Sequence, residues 1–276
     1  MKFSNSDPKF KSHVRSGKLA LLAMSLLALG SNVHAAIVFF GEDINLTATG
    51  QNENAVRIGH PTSDSARNSF LANLSGVVTE TFEQYAPNSN ISSLTFGPDT
   101  ASLSPALQIL NLSTGTFNGT YPISGNQFLL QNALGTNTFS IGFSTPQAAF
   151  GLYVTDLEVQ GNLTLRFLLA DGTTTIDRPV PTQVNPTAND NNTGSVLYFG
   201  VIDTDNPFVQ VRFVRNLNSA DGFGFDDMTI ARATQVIPPS AVVPEPGTYA
   251  LLSLVLVLIG FAKKTQISKA VGSRGP

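Results

Sequence analysis

Phe208-Val209-Gln210-Val211-Arg212-Phe213-Val214 alternates apolar and polar side chains. Successive side chains of an extended chain point to opposite faces, so Val209, Val211 and Phe213 fall on one side. That is the pattern of a strand with one wet face in an antiparallel sheet. Phe139, Ile141 and Phe143 repeat it. Further runs lie outward from these two, at 37–40, 77–82, 92–96, 107–112, 127–130, 148–157, 163–170, 196–202 and 223–230. They are short and rich in Phe, Val, Ile, Leu and Thr, and clusters of Asn, Gly, Pro, Asp and Ser separate them. About ten such strands in one domain predict a mainly β fold, a single antiparallel β-sandwich of jelly-roll type. Asp171-Gly172 marks a hairpin turn. Residues 176–195, rich in Pro and Asn, read as one long loop.

One short helix interrupts the β pattern. Ala66, Phe70, Leu71 and Leu74 share a helical face. Ser63 is the expected N-cap, Asp64 favours the positive end of the helix dipole, and Asn73 and Gly76 are expected stops.

Charge is unevenly spread. Residues 36–243 hold seven Arg, no Lys and seventeen Asp plus Glu, a balance near −10, and every lysine lies in the two tails. An acidic surface without lysine argues against nucleic acid and anionic lipid as partners. The chain has no cysteine, so packing and not disulfides must hold it. His60 is the one histidine of this region. A serine triad needs a histidine base, and His60 stands beside Pro61 with no Gly-x-Ser-x-Gly elbow anywhere. A histidine-rich zinc site is excluded too.

Other acids are weaker candidates. Asp203 and Asp205 fit a solvated turn better than a cation site. Asp156 and Glu158 end a strand, where neighbouring acids are usually exposed, whereas glycosidase carboxylates usually face each other across a cleft. Tyr85, Tyr121 and Tyr198 are candidates for stacking on pyranose rings, each equally suited to a core.

The two ends carry address signals. Lys2, Lys9, Lys11, Arg15 and Lys18 precede the apolar run 19–29, and Val33-His34-Ala35 offers small residues for a signal peptidase. Residues 1–35 therefore read as a signal peptide cleaved after Ala35. At the other end stand Val243-Pro244-Glu245-Pro246-Gly247, the uncharged run 248–262 and Lys263-Lys264. The two prolines keep the chain extended. The run spans about 22 Å as a helix, and tilt, thinning and lysine snorkelling cover the shortfall from a bilayer core. Lysines beside both apolar segments place those flanks in the cytoplasm and the body outside. The body is thus expected over 36–232, a Pro-rich linker over 233–247, a transmembrane helix with its basic flank over 248–264 and a cytoplasmic tail over 265–276.

Motif, helix and basic flank together resemble the PEP-CTERM sorting signal of Gram-negative bacteria, a tail also labelled an ice-binding-protein C-terminal domain. Two lysines stand where that family usually ends in arginines. The resemblance implies transient anchoring in the inner membrane. A membrane-embedded exosortase then cuts near Pro-Glu-Pro and passes the body to the cell surface or the extracellular matrix. Threonine pairs such as Thr47/Thr49 and Thr173/Thr175 recur at no fixed period, so the ice-binding label implies no activity here.

Asp221-Gly222-Phe223-Gly224-Phe225-Asp226-Asp227-Met228-Thr229-Ile230 resembles the closing strand of galactose-binding-like jelly rolls. In those folds an acid of the last strand and a glutamate of an early strand often share a structural calcium. The resemblance implies Glu83, Asp226 and Asp227 as part of such a shell, since calcium takes six to eight oxygens. The plainer alternative has Asp226 capping a turn and Asp227 facing water. The expected role is non-catalytic: a surface or exopolysaccharide-associated protein that is structural or binds carbohydrate. A carbohydrate-active hydrolase is the alternative. A close carboxylate pair in a concave groove would favour the enzyme, and a flat polar sheet face would favour binding.

Overall fold

The computed structural model describes residues 35–44, 59–112, 119–131, 138–157, 163–182, 195–215 and 222–238. The expected signal peptide, the Val243-Pro244-Glu245-Pro246 motif, the apolar helix and the tail lie outside the described residues. Among those described, no helix is long and apolar enough to cross a membrane.

In chain order the elements are β1 (Ile37–Asp43), α1 (Pro61–Leu71), β2 (Thr79–Glu80), β3 (Asn90–Phe96), β4 (Asp99–Asn111), β5 (Gln127–Gln131) and β6 (Thr138–Gln147). They continue with β7 (Ala149–Thr155), β8 (Leu163–Leu169), β9 (Thr175–Pro179), β10 (Val196–Ile202), β11 (Phe208–Arg215) and β12 (Phe223–Ala231). The strands hydrogen-bond in the order β1-β10-β7-β12-β5-β4-β6-β11-β8-β9, with β2 on β12 and β3 on β4. The β4 strand joins two layers: residues 101–104 pair with β6, and residues 108–111 pair with β5. The front layer is β1-β10-β7-β12-β5, and the back layer is β6-β11-β8-β9. Facing side chains close the sandwich. Phe150 of β7 meets Phe213 of β11 at 6.0 Å between centroids, and Phe225 of β12 meets Phe139 of β6 at 5.6 Å. The mainly β, jelly-roll-like sandwich is therefore as expected.

Every residue of β7, β10 and β12 is buried. Their inner side chains join the core between the layers, and their outer ones form a second apolar cluster with Phe70, Leu74 and Tyr121. Helix α1 lies on that outer side, over β1, β10 and β7. The paired glycines Gly151 and Gly200 make the socket for its Phe70 ring. A Cβ on Gly200 would stand 2.7 Å from Phe70 Cδ2, and one on Gly151 would stand 2.9 Å from Phe70 Cε1.

Of the expected helical face, Ala66 and Phe70 are buried and Leu71 is half-buried; Leu74 is buried too, but it lies beyond the helix, in a bridge with Val236. The cap is not Ser63. The helix starts at Pro61, and Asp43 at the end of β1 does the capping. Its Oδ1 accepts the Thr62 N–H at 3.1 Å, and its Oδ2 accepts the Ser63 N–H and Ser63 Oγ–H, both at 2.8 Å. Burial raises the Asp43 carboxyl, but these bonds outweigh it and hold the group below the usual carboxylate range.

Four expectations are corrected. Phe208 turns inward and Val209 does not share the buried side, because a bulge between Phe208 and Gln210 resets the alternation. The run 77–82 yields only the two residues of β2, since Phe82 has φ 63° and leaves extended geometry. Residues 176–179, read as the start of a long loop, belong to the edge strand β9. And β4 begins at Asp99, well before the apolar run at 107.

Both ends of the described chain reach the same end of the sandwich. Ile37 pairs with Ile202. After β12 a 3-10 turn, Ala233–Gln235, brings Val236 against Leu74, and the Ile237 N–H donates to Asn73 O at 2.8 Å.

Replacing Gly200 by valine forces its Cβ into the Phe70 ring. We expect a loss of about 1–3 kcal/mol, typical of an overpacked site, read as a lower midpoint in urea. Phe70→Ala in the Gly200→Val background should add less than Phe70→Ala does alone, because the two share one contact.

Candidate functional site

Glu83, Asp226 and Asp227 do converge on one stretch, residues 123–127, which lies between the single-residue bridge at Thr120 and the start of β5. That stretch has few ladder partners for its N–H groups, and buried N–H groups must be paired. Asp226 is buried, and its Oδ2 accepts the Ile123 and Ser124 N–H groups at 2.7 and 3.0 Å. Its Oδ1 accepts the Asp227 N–H at 2.7 Å. Glu83 Oε1 accepts the N–H groups of Asn126 and Gln127, both at 2.7 Å. Asp227 takes the Ser124 hydroxyl at 2.6 Å and lies 3.4 Å from Arg67. Burial, with Asp227 beside it, pushes the Asp226 carboxyl above its ordinary range, against the pull of its three N–H donors.

In this arrangement both oxygens of Asp226, Oε1 of Glu83 and Oδ1 of Asp227 serve N–H and O–H donors, and among the described residues no group of three His, Cys, Asp or Glu stands close enough to hold a metal. As placed, the three acids fasten a crossing segment to the front layer. The plainer alternative is corrected for Asp227, which is buried and does not face water.

The other candidates also settle into structure. Tyr121 and Tyr198 are buried in the cluster beneath α1 and cannot stack on a ligand. Tyr85 is half-buried; its hydroxyl donates to Glu80 at 3.1 Å, and burial followed by the Glu80 charge pushes it up to about 12. Asp203 holds a turn by accepting from the Asn206 N–H at 3.1 Å. Asp156, expected at an exposed strand end, is buried with φ 69°. Glu158 lies outside the described residues. His60 Nδ1 meets Asp64 at 2.8 Å, and Asp64 also accepts from Tyr153 at 2.5 Å, so this trio ties α1 to β7.

What remains open is the outer side of the back layer, continued by β4 and β3. Among the described residues its side chains are exposed or half-buried. The registers set them in rows across the strands. One row runs Ser104, Ser140, Arg212, Arg166, Asp177. The next runs Ser93, Ser102, Gly142, Gln210, Leu168, Thr175. Arg166 and Asp177 neutralise each other through two bonds of 2.7 and 2.8 Å. Arg212 is exposed, donates to Thr138 Oγ1 at 3.4 Å, and has no ion pair among the described residues. The face thus offers hydroxyls, an amide and one uncompensated guanidinium, which are donors suited to a hydroxylated or carboxylated polymer. Sequence reasoning did not single these residues out. Alternation marks them as outward-facing, but only the strand order shows that they form one surface.

Glu83→Ala leaves the buried Gln127 N–H without this acceptor, at about 1–3 kcal/mol, while water can replace it at the exposed Asn126 N–H, so the melting temperature should fall by a few degrees. A calcium chelator should leave the wild-type melt unchanged if these acids act as N–H acceptors alone, and a fall on chelation would establish a bound metal.

No protein-family model matches the chain, and no curated protein does. Among solved structures it is similar to the K2 cleaved adhesin domain of Lys-gingipain, at 14% identity and a TM-score of 0.37, over 56% of this chain and 98% of that one. It is also similar to the C-terminal family 22 carbohydrate binding module of Clostridium thermocellum Xyn10B, at 13% identity and a TM-score of 0.33, over 60% of this chain and 99% of that one. A family 29 carbohydrate binding module is a third, at 13% identity and a TM-score of 0.28, over 60% and 95%. At this distance no residue role passes from them to this chain.

Proposed function

We propose that the protein is an exported, non-catalytic component of the cell surface or extracellular matrix, and that it contacts polysaccharide through the open face of its back layer. The observation that carries the binding role is the pair of polar rows centred on Gln210 and Arg212, on a sheet side that no described element covers. The front layer is covered by α1 over β1, β10 and β7, and among the described residues it shows no comparable polar surface. Export and sorting rest on the signal peptide, the Val243-Pro244-Glu245-Pro246 motif and the apolar run behind it. In this reading the inner membrane holds the chain through residues 248–264 until an exosortase releases the body.

Two experiments test it. In affinity electrophoresis through gels cast with neutral xylan or acidic alginate, the body should be retarded by at least one of them. The double variant Gln210→Ala/Arg212→Ala should lose about tenfold or more in affinity, the worth of a hydrogen bond to a charged group, with its melt unchanged. Equal retardation of variant and wild type would move binding off this face. In cells lacking exosortase, full-length protein should accumulate in the inner membrane, and equal release from both strains would refute the sorting reading.

A further inference from the structure

Four large apolar side chains are exposed among the described residues: Ile37 at 43%, Val38 at 48%, Val78 at 46% and Ile237 at 45%. All four lie toward one end of the sandwich. Ile37 and Val38 open the edge strand β1, opposite Ile202 and Val201 at the close of β10. Val78 precedes the Thr79–Thr229 pair, near the close of β12. Ile237 follows the 3-10 turn after β12. Two of them, Ile37 and Ile237, line an apolar cleft of about 200 Å³ together with Ile202, Val236 and Pro238. Grouped exposed apolar residues of this kind mark a contact surface, whereas scattered ones need no explanation.

The linker leaves from this same end. Only nine residues, 239–247, separate Pro238 from the uncharged run that begins at Thr248. At ~3.3–3.6 Å per residue they reach about 30 Å at full extension. A body on so short a tether cannot move far from the bilayer, and the end that carries the apolar patch is the tethered one.

From this placement we infer that the apolar end of the body rests in the interfacial layer of the membrane that holds the anchor, with Ile37, Val38, Val78 and Ile237 entering the acyl boundary. The inference rests on the anchor reading above. The attraction is mainly apolar: the body carries no lysine, Arg232 at this end is paired with Asp99 at 3.0 Å, and the one cation added by cleavage after Ala35, the Ala36 α-amino group, lies at headgroup level. The turn at Asp171 and Thr173, at the same end of the back layer, is exposed and polar. The front layer therefore leans toward the bilayer while the open polar face stays in water.

The chain contains no tryptophan, so a single introduced indole reports its own surroundings. Full-length Val38→Trp, Val78→Trp and Ile237→Trp would be reconstituted into phosphatidylcholine vesicles with brominated acyl chains. Asn90→Trp, on an exposed site toward the opposite end, serves as the reference. The three patch variants should be quenched several-fold more strongly than the reference. Equal quenching while the protein still floats with the vesicles would overturn the docking and leave the anchor standing. Failure to float would overturn both. Emission that turns blue with rising protein concentration, without quenching by bromide, would place a second copy on the patch and overturn the docking as well.

Discussion

The front layer must be kept from water on both sides. Its strands β7, β10 and β12 carry apolar side chains outward as well as inward, so a two-layer sandwich alone would leave half of them wet. The chain supplies a third layer from two pieces, the short helix α1 and the stretch that leads into β5. Each piece creates its own demand. The helix must bring a ring close to the sheet, which the Gly151–Gly200 pair permits. The stretch must find acceptors for N–H groups that lack a ladder, which Glu83 and Asp226 provide. Even the start of the helix is tied back to the sheet through Asp43. A buried carboxylate is tolerable when several donors converge on it, and that explains acids in a front-layer position that would otherwise favour apolar residues.

The same demand explains what could be read from residues alone. The strands of the core and the helical face of Ala66 and Phe70 follow from periodicity, because burial on one side imposes a regular spacing. The edge strand β9 was hidden for the opposite reason. Only Ile176 and Arg178 of it are half-buried, and Pro179 is tolerated because an edge needs no further donor. The bulge at Val209 was hidden because one inserted residue shifts the phase without changing the composition.

The acids show a different limit. Glu83, Asp226 and Asp227 stand at one place, where they meet backbone N–H groups. Carboxylates are visible in a sequence, but the backbone N–H groups they meet are not. Metal ion and N–H cluster make the same demand for negative oxygen, and only geometry tells them apart. Tyrosine is ambiguous in a similar way, since its ring suits either a core or a ligand platform. Tyr121 and Tyr198 were claimed by the third layer. The open face went unnamed because serine, glutamine and arginine on separate strands become a surface only when β4, β6, β11 and β8 are set side by side.

The covering of one layer decides where contact with a polymer can occur. With α1 on the front, the back layer keeps a broad solvated side, and its only exposed uncompensated cation among the described residues of β6, β8, β9 and β11 is Arg212. The body around it is near −10. A polyanion approaching from a distance meets that net repulsion, which fades only within a Debye length of about 8–10 Å at ordinary salt. A neutral glycan meets no such barrier and can use the same hydroxyls, amide and guanidinium as donors. If the proposed polysaccharide contact is made here, the charge distribution favours a neutral chain laid across the rows, with Arg212 acting as a fork-shaped donor more than as a point charge.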